Sequence, residues 1–254
     1  MVGSGPLGAL YRVGDGEVGV VVMEKVVVLL VGDGPCPPPE LLEELVGSSA
    51  SQLRRRGASR VQVNVIDPEL GHPHGIAPGP GDVGVSSMVS YWVEAAGEHG
   101  IHADILPGGG PGSWYGYLVA EAVQLAGPPA PGDGTRSTGF TQIVPLGVPK
   151  HLSWAEWRRR WQGEHTAVAI DTQSSFRYVQ NLVVRPLDDG APAFAAVVEE
   201  SFPTGAASDT AVFYDADGNQ ERLADNSRRM MESCAKFIDG LVPIAWTAEY
   251  RLPD

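Results

Sequence analysis

The order of strands and helices predicted for the first half of this chain recurs in its second half. In each half, an apolar run predicts a strand, an apolar pattern at helical spacing follows, and two alternating segments predict further strands. A helix and a strand complete the second half, whereas the first half has little room for that helix between Gly97 and Gly112. This βαββαβ order predicts an α+β protein made of two ferredoxin-like repeats.

Each such repeat is an antiparallel sheet that leaves one face uncovered. We therefore expect the two to pack sheet to sheet as a pseudo-dimeric α/β barrel, an internal pseudo-dimer, while a further homodimer stays open. The predicted divisions are an N-terminal extension at 1–22, a degenerate ferredoxin-like repeat at 23–126, a Gly- and Pro-rich linker at 127–137 and a second ferredoxin-like repeat at 138–254. A chain of 254 residues can bury two cores of this size.

Alternation and turn residues give the element bounds. Strands are predicted at 24–31, 60–67, 84–95, 114–125, 141–146, 176–185, 193–202 and 244–252, and helices at 37–57, 153–170 and 220–238. Pro145 within the fifth strand indicates an edge or a bulge. Ser153 and Glu156 have the spacing of a capping box, which predicts that a helix begins there.

A few residues also echo between the halves. Each second strand carries an Arg four positions before an Asn, and each fourth strand carries an Ala-Glu pair: Arg60 and Asn64 match Arg177 and Asn181, and Ala120-Glu121 matches Ala248-Glu249. The matches are few, but the shared order of elements strengthens them.

The overall charge excludes some partners. With 31 acidic and 18 basic residues, the chain carries a net charge of −13, which repels nucleic acid and anionic membranes. Cys36 and Cys234 lie in unrelated contexts and do not indicate a disulfide framework. Neither a secretory signal nor an apolar run long enough to span a bilayer is evident, so a cytoplasmic protein is expected.

The segment from Ser153 to Asn181 resembles the EthD family of dimeric α/β-barrel proteins. That family has an aromatic helix ending in Trp-x-x-x-His and then Arg-Tyr-x-Gln-Asn, which this chain matches with Trp161, His165, Arg177, Tyr178, Gln180 and Asn181. Two departures are Thr166-Ala167, where the family usually has Ala-Pro, and Leu182, where a His often follows. The good match covers residues 138–252.

The resemblance implies a pocket between helices and sheet that needs no cofactor and takes small, often aromatic or polyketide-like molecules. Relatives are described as decarboxylases, dehydratases, cyclases or cofactor-free monooxygenases, and the resemblance does not choose among these reactions. Fold likeness by itself does not fix a reaction.

Helix geometry independently selects His165. One helix face is predicted to carry Trp154, Trp157, Trp161, His165 and Val168, which are spaced by three or four residues. An imidazole on the wall of an apolar cavity can give and take a proton near neutral pH. The alternative is a core histidine bonded to a backbone carbonyl.

Further candidates come from strand alternation. Tyr178 and Gln180 share one strand face and Arg177 and Asn181 the other, and the sequence does not choose the face that lines the pocket. One residue of the pair Glu199 and Glu200 should point inward, or both could end the strand in solvent. The predicted catalytic residues are His165, Glu199 and Glu200, and the predicted substrate-binding residues are Trp157, Trp161, Tyr178, Gln180, Asn181 and Tyr214.

The first half offers a rival metal site but no second catalytic histidine. His72, His74, His99, His102 and Asp104 lie in its loops, although their spacing matches no strong zinc pattern. The count of residues that leads from Gly147 to His165 leads from Gly32 to Ala50. We therefore expect no metal and no cofactor, and a first half that serves as a permanent partner.

The leading hypothesis is a cofactor-independent enzyme that performs acid/base chemistry, such as dehydration, decarboxylation or cyclisation, on a small hydrophobic molecule. A cofactor-free monooxygenase in the same pocket is one alternative, which oxygen consumption would distinguish. The other alternative is a non-catalytic small-molecule binding or accessory protein, whose ligand affinity would survive His165→Ala.

Overall fold

Eight antiparallel strands of this chain close into a barrel. The computed structural model describes residues 9–12, 18–32, 39–70, 84–97, 100–108, 112–240 and 242–254. The strands are β1 (Ala9–Arg12), β2 (Val18–Val21), β3 (Glu24–Gly32), β4 (Ser59–Ile66), β5 (Gly84–Val93), β6 (Gly112–Leu125), β7 (Phe140–Leu146), β8 (Arg177–Pro186), β9 (Ala196–Phe202) and β10 (Ala245–Arg251). Around the barrel the order is β10-β4-β5-β3-β6-β8-β9-β7, and β1 pairs with β2 as a separate ribbon.

Helices pack on the outside of the barrel, and two of them share an unusual feature. Helix α1 consists of Pro39–Glu44, a π-helical turn Leu45–Ser49 and Ala50–Arg55, and helix α2 of Trp154–Arg158, a π-helical turn Arg159–His165 and Thr166–Thr172. Helices α3 (Thr210–Phe213) and α4 (Gln220–Cys234) follow β9. Short 3-10 turns lie at Pro68–Leu70 and Thr204–Ala207. Each half thus has a helix interrupted by a π turn after its first barrel strand.

The predicted elements are confirmed, with ends shifted by up to four residues. The described residues between β5 and β6, at 94–97 and 100–108, contain no helix, as the short spacing predicted. Of the predicted N-terminal extension, the β1–β2 ribbon is described. No helix among the described residues has the length and apolar content needed to cross a membrane.

The strands of each half are neighbours in the barrel. Those of the first half run β4-β5-β3-β6 and those of the second half β8-β9-β7-β10, and the halves meet where β6 pairs with β8 and β10 with β4. Glu121 lies opposite Asn181 at the first junction, and Glu249 lies opposite Asn64 at the second. The Asn and Glu residues that echo in the sequence therefore occupy matching places at the two junctions.

Pro145 lies in a stretch of β7 that is paired on one side. It is opposite Val197 of β9, whereas the described part of β10 pairs with β7 only from Thr141 to Ile143. A proline lacks the N–H that a second neighbour would require. The predicted local edge is confirmed.

Three cores divide the apolar side chains. Two lie between helices and the outer faces of the strands, one in each half, and the third lies inside the barrel. The barrel interior is apolar towards one end, where Val27, Leu29, Tyr117 and Val197 meet. Towards the other end the inward positions of the same strands are polar, beginning with Lys25. Both faces of most strands are therefore buried, because the sheet is closed and covered.

Candidate functional site

Helix α2 begins at the predicted cap. The Ser153 side chain accepts a hydrogen bond from the Glu156 backbone N–H at 3.2 Å, which satisfies one of the free donors of the first turn. The reciprocal half of the predicted capping box is wrong: the Glu156 carboxylate pairs with Arg160 one turn along the helix. An ion pair on the helix surface has replaced the bond back to the cap.

The indole face of α2 is shorter than predicted. Trp157 and Trp161 are fully buried and their rings lie 4.9 Å apart, and His165 is also buried. Trp154 is 45% exposed, so the prediction that a third indole points inward is wrong. It is the first residue of the helix and lies against Trp157, outside the core cluster. The π turn ends at His165; such turns are frequent at functional sites.

His165 lies between α2 and α4. Its Nδ1 atom is 3.0 Å from the Ser233 hydroxyl, and its ring is 4.6 Å from the Phe237 ring. Burial lowers the pKa of His165 to about 4, so the imidazole is neutral at physiological pH. A neutral imidazole can accept a proton. The partner is a side-chain hydroxyl and not the backbone carbonyl of the alternative interpretation.

Tyr178 and Gln180 lie on the outer face of β8, which faces α2. Gln180 donates to the Thr166 hydroxyl at 2.8 Å and to the Tyr178 hydroxyl at 3.1 Å, and it accepts from Gln162 at 3.2 Å. Burial, with the charge of Glu200 next, raises the pKa of Tyr178. Tyr178 therefore stays a neutral phenol within the layer between helices and sheet.

Glu200 lies on the same side of β9, fully enclosed. It accepts one described hydrogen bond, from the Gln142 amide at 3.1 Å, and Gln142 in turn accepts from the Trp246 indole at 3.0 Å. Burial raises the pKa of Glu200 to about 7, although the bond from Gln142 acts in the opposite direction. A carboxyl group that is half protonated near neutrality can act as an acid or as a base.

Helix α4 brings His165 and Glu200 into one neighbourhood. Ser233 bonds to His165, and burial, with the charge of Glu200 next, raises the pKa of the following residue, Cys234, to about 12. Burial and the nearby Cys234 also raise the pKa of Tyr214. The structure thus places Trp157, Trp161, His165, Tyr178, Gln180, Glu200 and Tyr214 in one layer, which we call the C-terminal layer.

Two of the predicted site residues are elsewhere. Glu199 and Asn181 point into the barrel, on the opposite faces of β9 and β8 from Glu200 and Gln180. Arg177 also points inward and bonds to Glu199 at 3.3 Å and to Glu249 at 3.2 Å. Of the two sets of β8 residues between which the sequence did not choose, Tyr178 and Gln180 face α2, while Arg177 and Asn181 are buried inside the barrel.

The polar end of the barrel interior forms a network around Glu199. The Glu199 carboxylate accepts bonds from Lys25 at 3.1 Å, Gln62 at 2.9 Å and Asn181 at 2.8 Å, besides those from Arg177. Burial acts to raise the pKa of Glu199, but Lys25 and Arg177 hold it well below its usual range. Burial acts to lower the pKa of Arg177, and Glu199 with Glu249 raises it instead.

Sequence reasoning did not assign a role to Lys25, Gln62, Glu121 or Glu249. The available signal was the echo between the halves, since both members of two matched pairs belong to the network, Asn64 with Asn181 and Glu121 with Glu249, as does Arg177; its match Arg60 is exposed and lies outside the network. Lys25 binds Glu121 at 2.5 Å and Asn181 at 2.9 Å. The echo therefore marked buried polar partners.

The rival histidine cluster is only partly described. His72, His74 and His99 lie outside the described residues, and Asp104 is exposed on the surface beside Arg56. His102 is buried, with Nε2 at 2.8 Å from Asp188 and Nδ1 at 3.3 Å from the Tyr91 hydroxyl. Within the described ranges, no three His, Cys, Asp or Glu side chains form a metal-binding group.

The neutral His165 should make the protein sensitive to acid. Because its folded pKa lies below the unfolded value, its contribution to stability is complete above about pH 6.5 and is lost as the pH falls towards 4. Relative to that of wild type, the free energy of unfolding of His165→Gln should rise by about 2 kcal/mol as the pH falls from 7 to 5. Urea unfolding at both pH values checks this. The matched control is His151→Gln, at an exposed histidine, whose unfolding free energy should change between the two pH values as that of wild type does. An equal change in unfolding free energy in both variants would contradict the prediction.

The closed barrel with helices outside it is the fold of dimeric α/β-barrel proteins. This chain is similar to an anthrone oxidase-like protein with a TM-score of 0.53 and 12% identity, over 90% of this chain and 91% of that chain. Candidate monooxygenases of Lactobacillus acidophilus NCFM (TM-score 0.43, 8% identity, 89% and 93% covered) and Fusobacterium nucleatum (TM-score 0.46, 8% identity, 90% and 93% covered) are more distant. No protein-family model matches, and no curated protein gives a significant match. The first likeness establishes the fold.

Proposed function

We propose that this chain is a cofactor-independent enzyme that moves protons on a small aromatic or polyketide-like molecule in the C-terminal layer. The observation that carries the proposal is Glu200, a buried carboxyl group whose pKa of about 7 suits proton transfer at neutral pH. A neutral imidazole, that of His165, lies in the same layer. Two titratable groups whose environments move their pKa values apart are typical of acid/base sites.

The roles follow from the protonation states. His165, neutral, takes a proton from an acidic C–H or O–H of the substrate, and protonated Glu200 gives its proton to the group that leaves or to the oxygen that becomes a hydroxyl. In a dehydration, the substrate loses one proton and one hydroxide, and water is the second product. Tyr178 and Gln180 orient the substrate through their hydrogen-bonding groups, and Trp161 and Tyr214 enclose it.

An unused donor in the layer supports a ligand there. The Trp157 indole N–H is buried and has no hydrogen-bond partner among the described residues. Leaving a buried donor unpaired costs about 1 to 3 kcal/mol, so native structures rarely tolerate it. A carbonyl or hydroxyl oxygen of the substrate would satisfy this N–H.

We infer two ferredoxin-like repeats that divide at the 127–137 linker and pack as an internal pseudo-dimer. The strand order, the π turn in each half and the matched junction pairs support this inference. We also propose membership of the EthD family, which rests on the Trp-x-x-x-His and Arg-Tyr-x-Gln-Asn residues alone.

Deuterium exchange into anthrone under anaerobic conditions tests the proposed proton transfer. Anthrone has an acidic methylene group, so an enzyme with a base in an apolar layer should exchange its C–H without any oxidant. We expect wild type to accelerate exchange and His165→Ala and Glu200→Gln each to reduce the acceleration by about 10²-fold or more. His151→Ala and Glu232→Gln, both on the surface, are the matched controls.

The same substrate separates the alternatives. Because the fold is similar to that of an anthrone oxidase-like protein, monooxygenase activity on anthrone is the alternative to test. In air, that activity would convert anthrone and one O₂ into anthraquinone and one water, and oxygen consumption would match anthraquinone formed. Binding of anthrone with neither exchange nor oxygen uptake, unchanged in His165→Ala, would show a non-catalytic binding protein and would overturn the enzyme proposal.

A further inference from the structure

A cavity of about 380 Å³ opens at the polar end of the barrel, away from the C-terminal layer. None of His165, Glu200 or Trp157 lines it. The side chains at its wall include four cations and a half-buried indole: Lys25, Arg60, Arg177, Arg251 and Trp92. Its volume is in the range of small-molecule sites, about 300 to 1,000 Å³. We call this cavity the barrel mouth.

The pairing register shows which residues of the two halves correspond at the barrel mouth. Lys25 faces the residue that lies two positions before Glu121. Thr141 faces the residue that lies two positions before Glu249, so Lys25 and Thr141 are counterparts in the two halves. On the other side, Lys25 is paired with the residue two after Ser90, and Thr141 with the residue two after Glu199. Ser90 is therefore the counterpart of Glu199.

One arginine of the sequence echo has no carboxylate partner among the described residues. Arg177 is paired with Glu199, whereas Arg60 lies exposed in the irregularity of β4 after Ser59, and it lines the same cavity as Ser90. Among the described residues, no carboxylate lies within ion-pair distance of the Arg60 guanidinium, which instead lies 5.6 Å from the centre of the Trp92 ring. The small side chain of Ser90 is part of the cavity wall.

A second guanidinium at the barrel mouth is only partly used. Arg251 bonds to Glu249 through Nε at 2.8 Å, and its two terminal nitrogens make no hydrogen bond to any described residue. In contrast, the carboxylates here already have donors: Glu121 accepts from Lys25, and Asp254 accepts from the Arg60 backbone N–H at 2.6 Å. The guanidinium groups of Arg60 and Arg251 are therefore charged donors at the barrel mouth that retain unused N–H groups.

The backbone at Arg60 is strained. Its φ is +50°, in the left-handed region that non-glycine residues rarely adopt, at an irregularity in the β4–β5 pairing between Ser59 and Gln62. Such conformations cost about 1 to 3 kcal/mol and concentrate at ligand-binding sites. This strain is independent of the charges and marks the same residue.

We propose that the barrel mouth binds a small planar carboxylate, with its carboxylate on the guanidinium groups of Arg60 and Arg251 and its ring against Trp92. Guanidinium and carboxylate form strong bidentate pairs, and aromatic faces stack on both rings and guanidinium planes. The site is separate from the proposed active layer and does not depend on the function proposed for it.

Calorimetric titration with benzoate tests the site. We expect wild type to bind benzoate in the millimolar range or tighter, and Arg60→Gln to bind it at least tenfold more weakly. Arg228→Gln, on the exposed face of α4, is the matched control and should bind as wild type does. Ser90→Glu should remove benzoate binding while Arg60 is retained, because the new carboxylate occupies the guanidinium; circular dichroism confirms that each variant is folded.

Two other anions define what is recognised. Cyclohexanecarboxylate should bind more weakly than benzoate, because it cannot stack on Trp92, and inorganic phosphate should bind more weakly than either. No heat with benzoate at millimolar concentration, or equal benzoate affinity in wild type and Arg60→Gln, would overturn the proposal. Equal affinity for phosphate and benzoate would show an unspecific anion site and would also overturn it.

Discussion

Glu199→Gln is expected to lower the free energy of unfolding by about 3 to 5 kcal/mol. The carboxylate is fully buried and accepts bonds from two cations and two amides. Glutamine has nearly the same shape, but its amide group presents N–H donors to Lys25 and Arg177, which are themselves donors. The change therefore leaves an uncompensated positive charge inside the barrel and unmade hydrogen bonds around it.

Urea unfolding of the variant at neutral pH measures this loss. The matched control is Glu232→Gln on α4, where the same chemical change breaks an exposed pair with Arg228 and should cost less than about 1 kcal/mol. Equal small losses in both variants would show that the network does not hold Glu199 ionised. Because the pKa of Glu199 is lowered, its contribution to the free energy of unfolding is present above about pH 4.5 and is lost on acidification.

The element order could be predicted from the sequence because its signals are local. Alternation, turn residues and the Ser153 cap depend on neighbours along the chain, and the strands and helices were found where those signals place them. The closure of the barrel depends on pairs such as Glu121 with Asn181, which are 60 residues apart. Local patterns carry little information on such pairs.

Closure also explains why the site residues could not be sorted from sequence. For a sheet with one wet face, alternation divides Tyr178 and Gln180 from Arg177 and Asn181 into buried and exposed sets. In this barrel both sets are buried, one against α2 and one around Glu199. The same applies to Glu199 and Glu200, which were predicted as alternatives and prove to belong to two different buried environments.

The two glutamates differ because of what surrounds them. Glu199 faces cations and amides, so its charged form is stabilised, while Glu200 has a single described donor in an apolar layer. Because they are adjacent in β9, their local sequence contexts overlap almost completely. Only the distant residues that the fold brings to each face distinguish an ionised structural carboxylate from one that can exchange protons near neutrality.

Glu200→Gln is expected to stabilise the protein at alkaline pH. Because the folded pKa of Glu200 is about 7 and the ordinary value is 4.5, the unfolded chain ionises first, and wild type loses stability as the pH rises between these values. The neutral amide does not ionise and can keep the bond from Gln142 by the orientation of its oxygen. The difference in unfolding free energy, variant minus wild type, should rise by about 3 kcal/mol from pH 4 to pH 8.

This gain should coincide with the loss of proton transfer. A group kept in an unfavourable environment for catalysis typically lowers stability, so its removal stabilises the fold and abolishes activity. Urea unfolding from pH 4 to pH 8 and anthrone exchange on the same preparations measure both effects. His165→Gln should show the opposite pH trend, since its folded pKa is lowered. A pH-independent difference for Glu200→Gln would mean that Glu200 titrates as it does in the unfolded chain, and the carboxyl group would then have no special capacity for acid/base chemistry.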